Sequence, residues 1–293
     1  MDVTQMALPA VPLTMEGTWV LHQMIRFDWP AWRGLPKEVA DSLVAEFHER
    51  GFIRVDRLVP DEELAWLREV YDRMFAEKIE AVPGGHFDVL RSYDSPGEPK
   101  QLQLLMPEIR FAELRKTAFW RNGREIAAVL LGVDPKALRG WGHMLPKPPK
   151  VGEPLPWHQD EAYWDPSFEY RALGNWVTLD PATPQSGCMS FIPGSHRGDI
   201  RVHRHLHDDP TVHALVVPDL DESLAVPVPV EPGGAVFHHC RILHSSSANR
   251  SDRIRRAWAN EWQLPPVPRS EAASRPWMDE GKRAWESRNL KPV

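Results

Sequence analysis

Trp157-His158-Gln159-Asp160-Glu161-Ala162-Tyr163-Trp164 follows a proline-bounded loop and reads as an aromatic strand. On a strand, residues two apart face the same side with their Cα atoms about 6.5 Å apart, so His158 and Asp160 can chelate one ion. An imidazole and a carboxylate need a third ligand from elsewhere in the chain. Two histidines and one carboxylate on one face of an octahedron make the facial triad of non-haem Fe(II) oxygenases, which leaves half the coordination sphere open. His-x-Asp alone is a weak signal, so its weight depends on what surrounds it.

Around this segment the chain changes character. After Arg139, short apolar runs replace helical periodicity: Gly140–Leu145, Trp157–Trp164, Asn175–Leu179, Cys188–Ile192, Val226–Val230, Ala235–His239 and Ala257–Leu264. Short strands with frequent turn signals predict a sandwich, jelly roll or barrel. Upstream, residues 1–35 read as an irregular arm. Val39, Leu43 and Phe47 recur on one face of a helix opened by Pro36 and closed by Gly51. Phe52–Leu58 reads as a strand. Asp61 is the expected N-cap of a helix reaching about Lys78 and carrying Leu64, Leu67, Tyr71, Met74 and Phe75. A third helix is expected from Trp120 to Leu131 and a last one around Trp277 to Arg288. The expected fold class is α+β or mainly β, as one domain with a mainly helical support at 36–135, a β core at 136–264 and a tail at 265–293. The long polar stretch 196–227 reads as a lid-like insertion.

Composition narrows the partners. The 29 prolines exclude an all-helical bundle. A net charge of −6 disfavours nucleic acid, which needs clustered Lys and Arg; the basic cluster Arg250 to Arg256 is too short to change that. No apolar run approaches a membrane span, and the first residues lack the pattern of a signal peptide. The final Leu290-Lys291-Pro292-Val293 is not a peroxisomal address. Two cysteines, Cys188 and Cys240, form no disulfide framework and fit a reducing cytoplasm. The expected partner is a small molecule, and oligomeric state is left open. The 13 tryptophans suggest aromatic lining, core, or both.

Downstream, Gly233 to His244 reads as turn, strand and loop, followed by the serine-rich turn Ser245-Ser246-Ser247 and then Arg253-Ile254-Arg255. A histidine at the end of one strand and an arginine at the start of the next set an ion and a guanidinium near one pocket. A dicarboxylate suits that pair: its 2-oxo acid end chelates iron and its far carboxylate takes a bidentate arginine contact. His238 and His239 compete with His244 for the third ligand position, and Arg253 competes with Arg255. His203, His205, His207 and His213 offer a second metal reading, although their polar segment favours surface roles.

Four pieces in order, GFIRVDRLVPDEELAWLREV (51–70), MLPKPPKVGEPLPWHQDEAYW (144–164), GCMSFIPGSHRG (187–198) and LHSSSANRSDRIRR (243–256), resemble the phytanoyl-CoA dioxygenase family of Fe(II)/2-oxoglutarate oxygenases. The resemblance spans about residues 45–264. It implies a double-stranded β-helix (jelly-roll, cupin-like) core with the N-terminal helices packed on one sheet, and Fe(II), 2-oxoglutarate and O2 as cofactor and cosubstrates. It implies His158, Asp160 and His244 as iron ligands, Arg255 for the far carboxylate of 2-oxoglutarate, and Ser246 in support. Trp176, His143 and Gln103 match cosubstrate-contacting positions, with Gln101 as the alternative to Gln103. Two departures are Gly233-Gly234, where an acidic residue is common, and His143, where an apolar one is usual.

An intact Asp160 favours hydroxylation over halogenation, because related halogenases carry a small residue there. Trp141, Trp157, Tyr163, Trp164, Phe168 and Tyr170 are candidates for an aromatic substrate wall, although packing of the core is an equal reading for most of them. Arg91 and Arg241 are candidates for an anionic substrate group. The family acts on acyl-CoA thioesters, small solutes such as ectoine, and secondary metabolites. The lack of a basic platform for CoA favours biosynthesis of a secondary metabolite, with desaturation, epoxidation or cyclisation as alternative outcomes. A zinc hydrolase leaves Arg255 without a role, and a non-catalytic binding module leaves a complete triad unexplained.

Overall fold

The computed structural model describes residues 37–92, 95 and 97–287, so the arm expected at 1–35 lies outside the described residues. Seven strands form the larger sheet, in the spatial order Phe52–Val55, Ala235–His239, Ala172–Thr178, Ala257–Gln263, Arg139–Met144, Leu102–Leu105 and His86–Asp88. Four more, Val226–Val228, Met189–Phe191, His244–Ser246 and Leu155–His158, form a smaller sheet facing it. Every pairing within these two sheets is antiparallel. This is the jelly roll expected from the resemblance, and its two sheets share a core of Phe52, Trp176, Met189, Phe191, Val236 and Ala257.

The central strand Ala257-Trp258-Ala259-Asn260-Glu261-Trp262-Gln263 shows why the layers separate as they do. Side chains alternate across a strand, and here Trp258 and Trp262 point to the helical layer. Trp258 meets Phe119 at 4.3 Å between ring centroids and Trp262 meets Trp120 at 5.1 Å. Ala257, Ala259 and Glu261 take the opposite face, toward the smaller sheet. Small residues there leave room for a site between the sheets.

Helices Lys37–Arg50, Asp61–Ala76 and Ala118–Leu131 cover the outer face of the large sheet, burying Leu43, Phe47, Leu67, Tyr71, Met74 and Phe119 against it. The third ends at Gly132, whose φ of 63° is readily adopted by glycine. Asp61 is not an N-cap: Pro60 holds that position without a side-chain cap, and Asp61 is the first helical residue. The strand expected over 52–58 stops at Val55, and the amides of Leu58 and Val59 both turn to the carbonyl of Gly233. Strands His86–Asp88 and Leu102–Leu105, too short to show a period in the sequence, extend the large sheet from the segment that was expected to be mainly helical.

Segment 196–227 packs as a wall. Its strands Arg204–His205 and Leu215–Val216 pair with each other. The amides of Ala214 and Val217 bond the carbonyls of Val89 and Trp157, at 2.8 and 2.9 Å.

Candidate metal centre

His158 closes the strand Leu155–His158, His244 opens the strand His244–Ser246, and the two are register partners across the smaller sheet. The strand predicted through Trp164 ends at His158. Gln159 keeps extended backbone, and Asp160 begins a 3-10 turn over Asp160–Tyr163. His158, Asp160 and His244 each offer a ligand atom, and these atoms all lie within 4.8 Å of one another. Asp160 Oδ1 is 3.4 Å from His244 Nε2 and 3.8 Å from His158 Nε2. Ligands at right angles with bonds of about 2.1 Å would stand about 3 Å apart, so the donor set fits one first-row ion after small side-chain adjustment.

Backbone carbonyls set the imidazoles. His158 Nδ1 is 2.7 Å from Pro156 O and His244 Nδ1 is 3.0 Å from Ile242 O. A carbonyl only accepts, so each Nδ1 carries the proton and each Nε2 presents its lone pair toward Asp160. Burial, with His244 adding to it, lowers the His158 pKa to about 3, and burial lowers that of His244 as well. Both rings are therefore neutral and ready to ligate at physiological pH. Burial on its own would raise the Asp160 carboxyl, but the imidazoles of His244 and His238 outweigh it and hold the group below its ordinary range.

His238 sits on the large sheet and gives its Nε2–H to Asp160 Oδ2 at 3.0 Å. It orients the carboxylate from behind. His239, on the opposite face of that strand, meets His196 and Phe47.

Glu161 was not singled out from the sequence, yet it anchors the turn. It is fully buried and bound by Arg241 Nε at 2.7 Å and Arg275 Nη2 at 3.2 Å, with Arg269 Nη2 at 3.7 Å. Arg241, a candidate for an anionic substrate group, gives its Nε and Nη2 to Glu161. No spacing rule links a glutamate at 161 to arginines at 241, 269 and 275.

Arg255 lies at the other end of the cleft. It is 2% exposed, its guanidinium stands 5.4 Å over the Trp176 ring, and Nη1 donates to Leu145 O at 2.8 Å. Its Nε has no partner. Ser246 shares the strand face of His244, two residues on. Arg253, the competing arginine, is exposed. His143 and Trp176 both face the cleft, each opposite Ala259 in the large sheet. Burial lowers the His143 pKa to about 4, so its ring is neutral. Gln103 lies on the same face one strand further out, since its neighbour Leu105 pairs with His143. Gln101 is engaged by the carbonyls of Pro146 and Leu102.

The aromatic residues divide. Tyr163 stands edge-on to His158 at 5.9 Å, and its hydroxyl accepts from the amide of Leu215. Trp164 meets Trp141 at 6.4 Å, and both are half-buried on the open side of the cleft. Trp157 packs in a core cluster with Ile192, Val217 and Leu243. Glu261, opposite Trp141 on the cleft face, is 5% exposed, and its Oε2 has no partner. Burial, and after it the nearby Asp160, raise its pKa well above the ordinary carboxylate value. The sequence hid it because one glutamate in a strand looks like a solvent-facing residue.

Fold and site together define a jelly-roll protein with a mononuclear centre of two histidines and one carboxylate. The chain belongs to the phytanoyl-CoA dioxygenase family, whose model, Phytanoyl-CoA dioxygenase (PhyH), matches residues 47–257. It is 36% identical over 117 residues to phytanoyl-CoA dioxygenase domain-containing protein 1 of Danio rerio; the match spans 38% of this chain and 40% of that relative. The crystal structure of EvdO2 from Micromonospora carbonacea var. aurantiaca is similar with a TM-score of 0.73 and 38% identity, covering 81% of this chain and 96% of EvdO2. EvdO2 has also been solved with 2-oxoglutarate, at a TM-score of 0.70 to this chain. SnoK, a non-heme alpha ketoglutarate dependent carbocyclase from nogalamycin biosynthesis, is similar with a TM-score of 0.60 and 26% identity, covering 88% of this chain and 92% of SnoK. No helix among the described residues is long and apolar enough to cross a membrane.

Proposed function

We propose that the protein is an Fe(II)- and 2-oxoglutarate-dependent dioxygenase that hydroxylates an unactivated C–H bond of a small or medium-sized secondary metabolite. The balanced reaction joins substrate, 2-oxoglutarate and O2 to give the alcohol, succinate and CO2. The observation that carries this reading is the pairing of an open three-ligand face, His158, Asp160 and His244, with the buried guanidinium of Arg255, whose Nε is unpaired. A zinc hydrolase needs the first and has no use for the second.

In this reading His158, Asp160 and His244 hold the iron, which when bound supplies the oxidising chemistry. Arg255 and Ser246 hold the far carboxylate of 2-oxoglutarate, while Trp176, His143 and Gln103 form the walls around it. Trp141, Tyr163 and Trp164 bound the substrate side and exclude water. Glu261, a buried carboxyl in that wall whose Oε2 has no partner, suits a substrate with a hydroxyl or other polar group beside the reacting carbon. The likeness to SnoK, a carbocyclase from nogalamycin biosynthesis, supports a secondary metabolite over an acyl-CoA.

A metabolite screen that reads substrate-dependent succinate formation tests activity and substrate together. His158→Ala and Asp160→Ala should abolish the signal; succinate formation persisting in either variant would refute the assignment.

A further inference from the structure

Lys147 is 0% exposed, and neither the metal ligands nor the cleft walls account for it. Its backbone pairs with that of Arg255 in both directions, Lys147 N to Arg255 O at 2.9 Å and Arg255 N to Lys147 O at 3.1 Å. Two cations therefore stand directly opposite each other across a ladder, an arrangement that is destabilising unless something compensates it. Arg255 and Cys188 are the groups that act on the Lys147 charge, and neither is a carboxylate. Asp180 acts on Arg255, but it is itself paired with Arg256 at 3.1 Å. Two buried cations without a carboxylate of their own leave room for an external anion.

The fold is built to admit this lysine. A Cβ on Gly152 would sit 2.5 Å from Lys147 Cγ, and one on Gly187, where φ is +96°, would sit 2.9 Å from Lys147 Cδ. The stem thus threads a slot between two glycines. At its end Nζ donates to Ser246 Oγ at 2.8 Å and to Ser247 O at 2.7 Å, and it lies 3.5 Å from Ser246 O. An ammonium only donates, so the Ser246 oxygen accepts and its own proton is free to be given elsewhere. Ser246 shares its strand face with His244, and that direction is the cleft.

We propose that Lys147 is a positioning residue of the cosubstrate pocket, fixing the Ser246 hydroxyl as a donor to the far carboxylate of 2-oxoglutarate and adding a second buried positive charge behind Arg255. The inference rests on the 2-oxoglutarate reading above. Burial and Arg255 both push the Lys147 ammonium to lose its proton more readily, in keeping with a cation that lacks its anion.

The test is anaerobic binding to the Fe(II)-loaded protein, read by the visible charge-transfer band of a chelated 2-oxo acid. The probes are 2-oxoglutarate and 2-oxobutanoate, which lacks the far carboxylate. Lys147→Met should weaken 2-oxoglutarate by about ten- to a hundredfold, the range expected for loss of a charge-assisted hydrogen bond, and leave 2-oxobutanoate and Fe(II) binding unchanged. Ser246→Ala, a change too small to threaten the fold, should show the same selectivity, and Lys147→Met should add little in its background. Equal weakening of both probes, or an unchanged 2-oxoglutarate affinity, would overturn the role of Lys147 alone. If Lys147→Met does not fold, loss of both probes alike in Ser246→Ala overturns it as well. Wild-type protein giving no band with 2-oxoglutarate would overturn the reading beneath it.

Discussion

His238 Nε2 stands 3.0 Å from Asp160 Oδ2, which leaves Oδ1 facing the two ligand imidazoles at 3.4 and 3.8 Å. A hydrogen bond from the large sheet thus aims a carboxylate carried by the other side of the cleft. Partners of this kind are worth about 10- to 100-fold in metal affinity. His238→Ala is expected to weaken Fe(II) binding in that range, and His238→Gln, which keeps a donor, by less. Anaerobic Fe(II) titration measures it; equal affinity in wild type and His238→Ala would mean that Asp160 needs no such support.

Gly174 makes that contact possible. A Cβ there would lie 2.5 Å from His238 Cε1 and 2.6 Å from its Nε2. Gly174→Ala should displace the ring, cost about 1–3 kcal/mol of stability, and reduce Fe(II) affinity together with it. Urea denaturation and metal titration report the two effects, and an Ala variant with native iron affinity would show that the ring is free to move.

The buried histidines make the metal-free protein acid-labile. Burial lowers His158 to about 3 and His203 to about 4, and shifts His244 in the same direction. The unfolded chain takes up these protons near pH 6.5 while the folded chain refuses them, so stability falls as pH drops below 6.5 and continues to fall toward the folded values. Each group contributes about 1.4 kcal/mol per pH unit where only the unfolded form titrates. Glu63, Glu108 and Glu261, whose acids burial raises, favour the folded state as pH falls and oppose this, but they are outnumbered by the histidines that burial lowers, among them His143, His213 and His239. Melting temperature measured from pH 7.5 to 4.5 should decline through this window, and a flat or rising profile would contradict the burial of neutral imidazoles.

Glu161 ties Arg241 and Arg275 beneath the turn that carries Asp160. Removing one partner of a buried ionic network strands the others, at a cost of about 3–5 kcal/mol. Glu161→Gln should lose stability on that scale and weaken Fe(II) binding, because the turn carries a ligand. Arg241→Ala should behave similarly and leave the choice of substrate unchanged. A shift in substrate selectivity without loss of stability would instead place Arg241 at the substrate.

Glu261 makes the opposite prediction. Replacing a buried carboxyl that has an oxygen without a partner with an apolar group removes a penalty of about 1–3 kcal/mol, so Glu261→Leu should be more stable to urea at pH 7 while turnover of the physiological substrate falls. A destabilised Leu variant would show that the carboxyl is held by the fold.

Much of the architecture is written in local pattern. The helix at Asp61–Ala76 follows from its apolar period, the helix ending at Leu131 from Gly132, and the strand Ala235–His239 has the bounds its residues predict. These features depend on neighbours within a few residues, which a sequence displays directly. The tryptophans show where local pattern stops. Trp120, Trp258 and Trp262 fill the layer between helices and sheet, Trp157 fills a core cluster, and Trp141, Trp164 and Trp176 border the cleft. All are aromatic residues near strands or helices, and only the face each occupies separates them.

The sequence by itself determined the chemistry available: one His-x-Asp, a later histidine, and an arginine beyond a serine turn, in an order that the family resemblance makes specific. Tertiary structure decided which atoms meet. The register between His158 and His244, the reach of His238 to Asp160, the arginines around Glu161 and the slot for Lys147 all join residues distant along the chain. Such contacts arise from sheet register and from where glycines leave space, and neither is a property of residues read one after another.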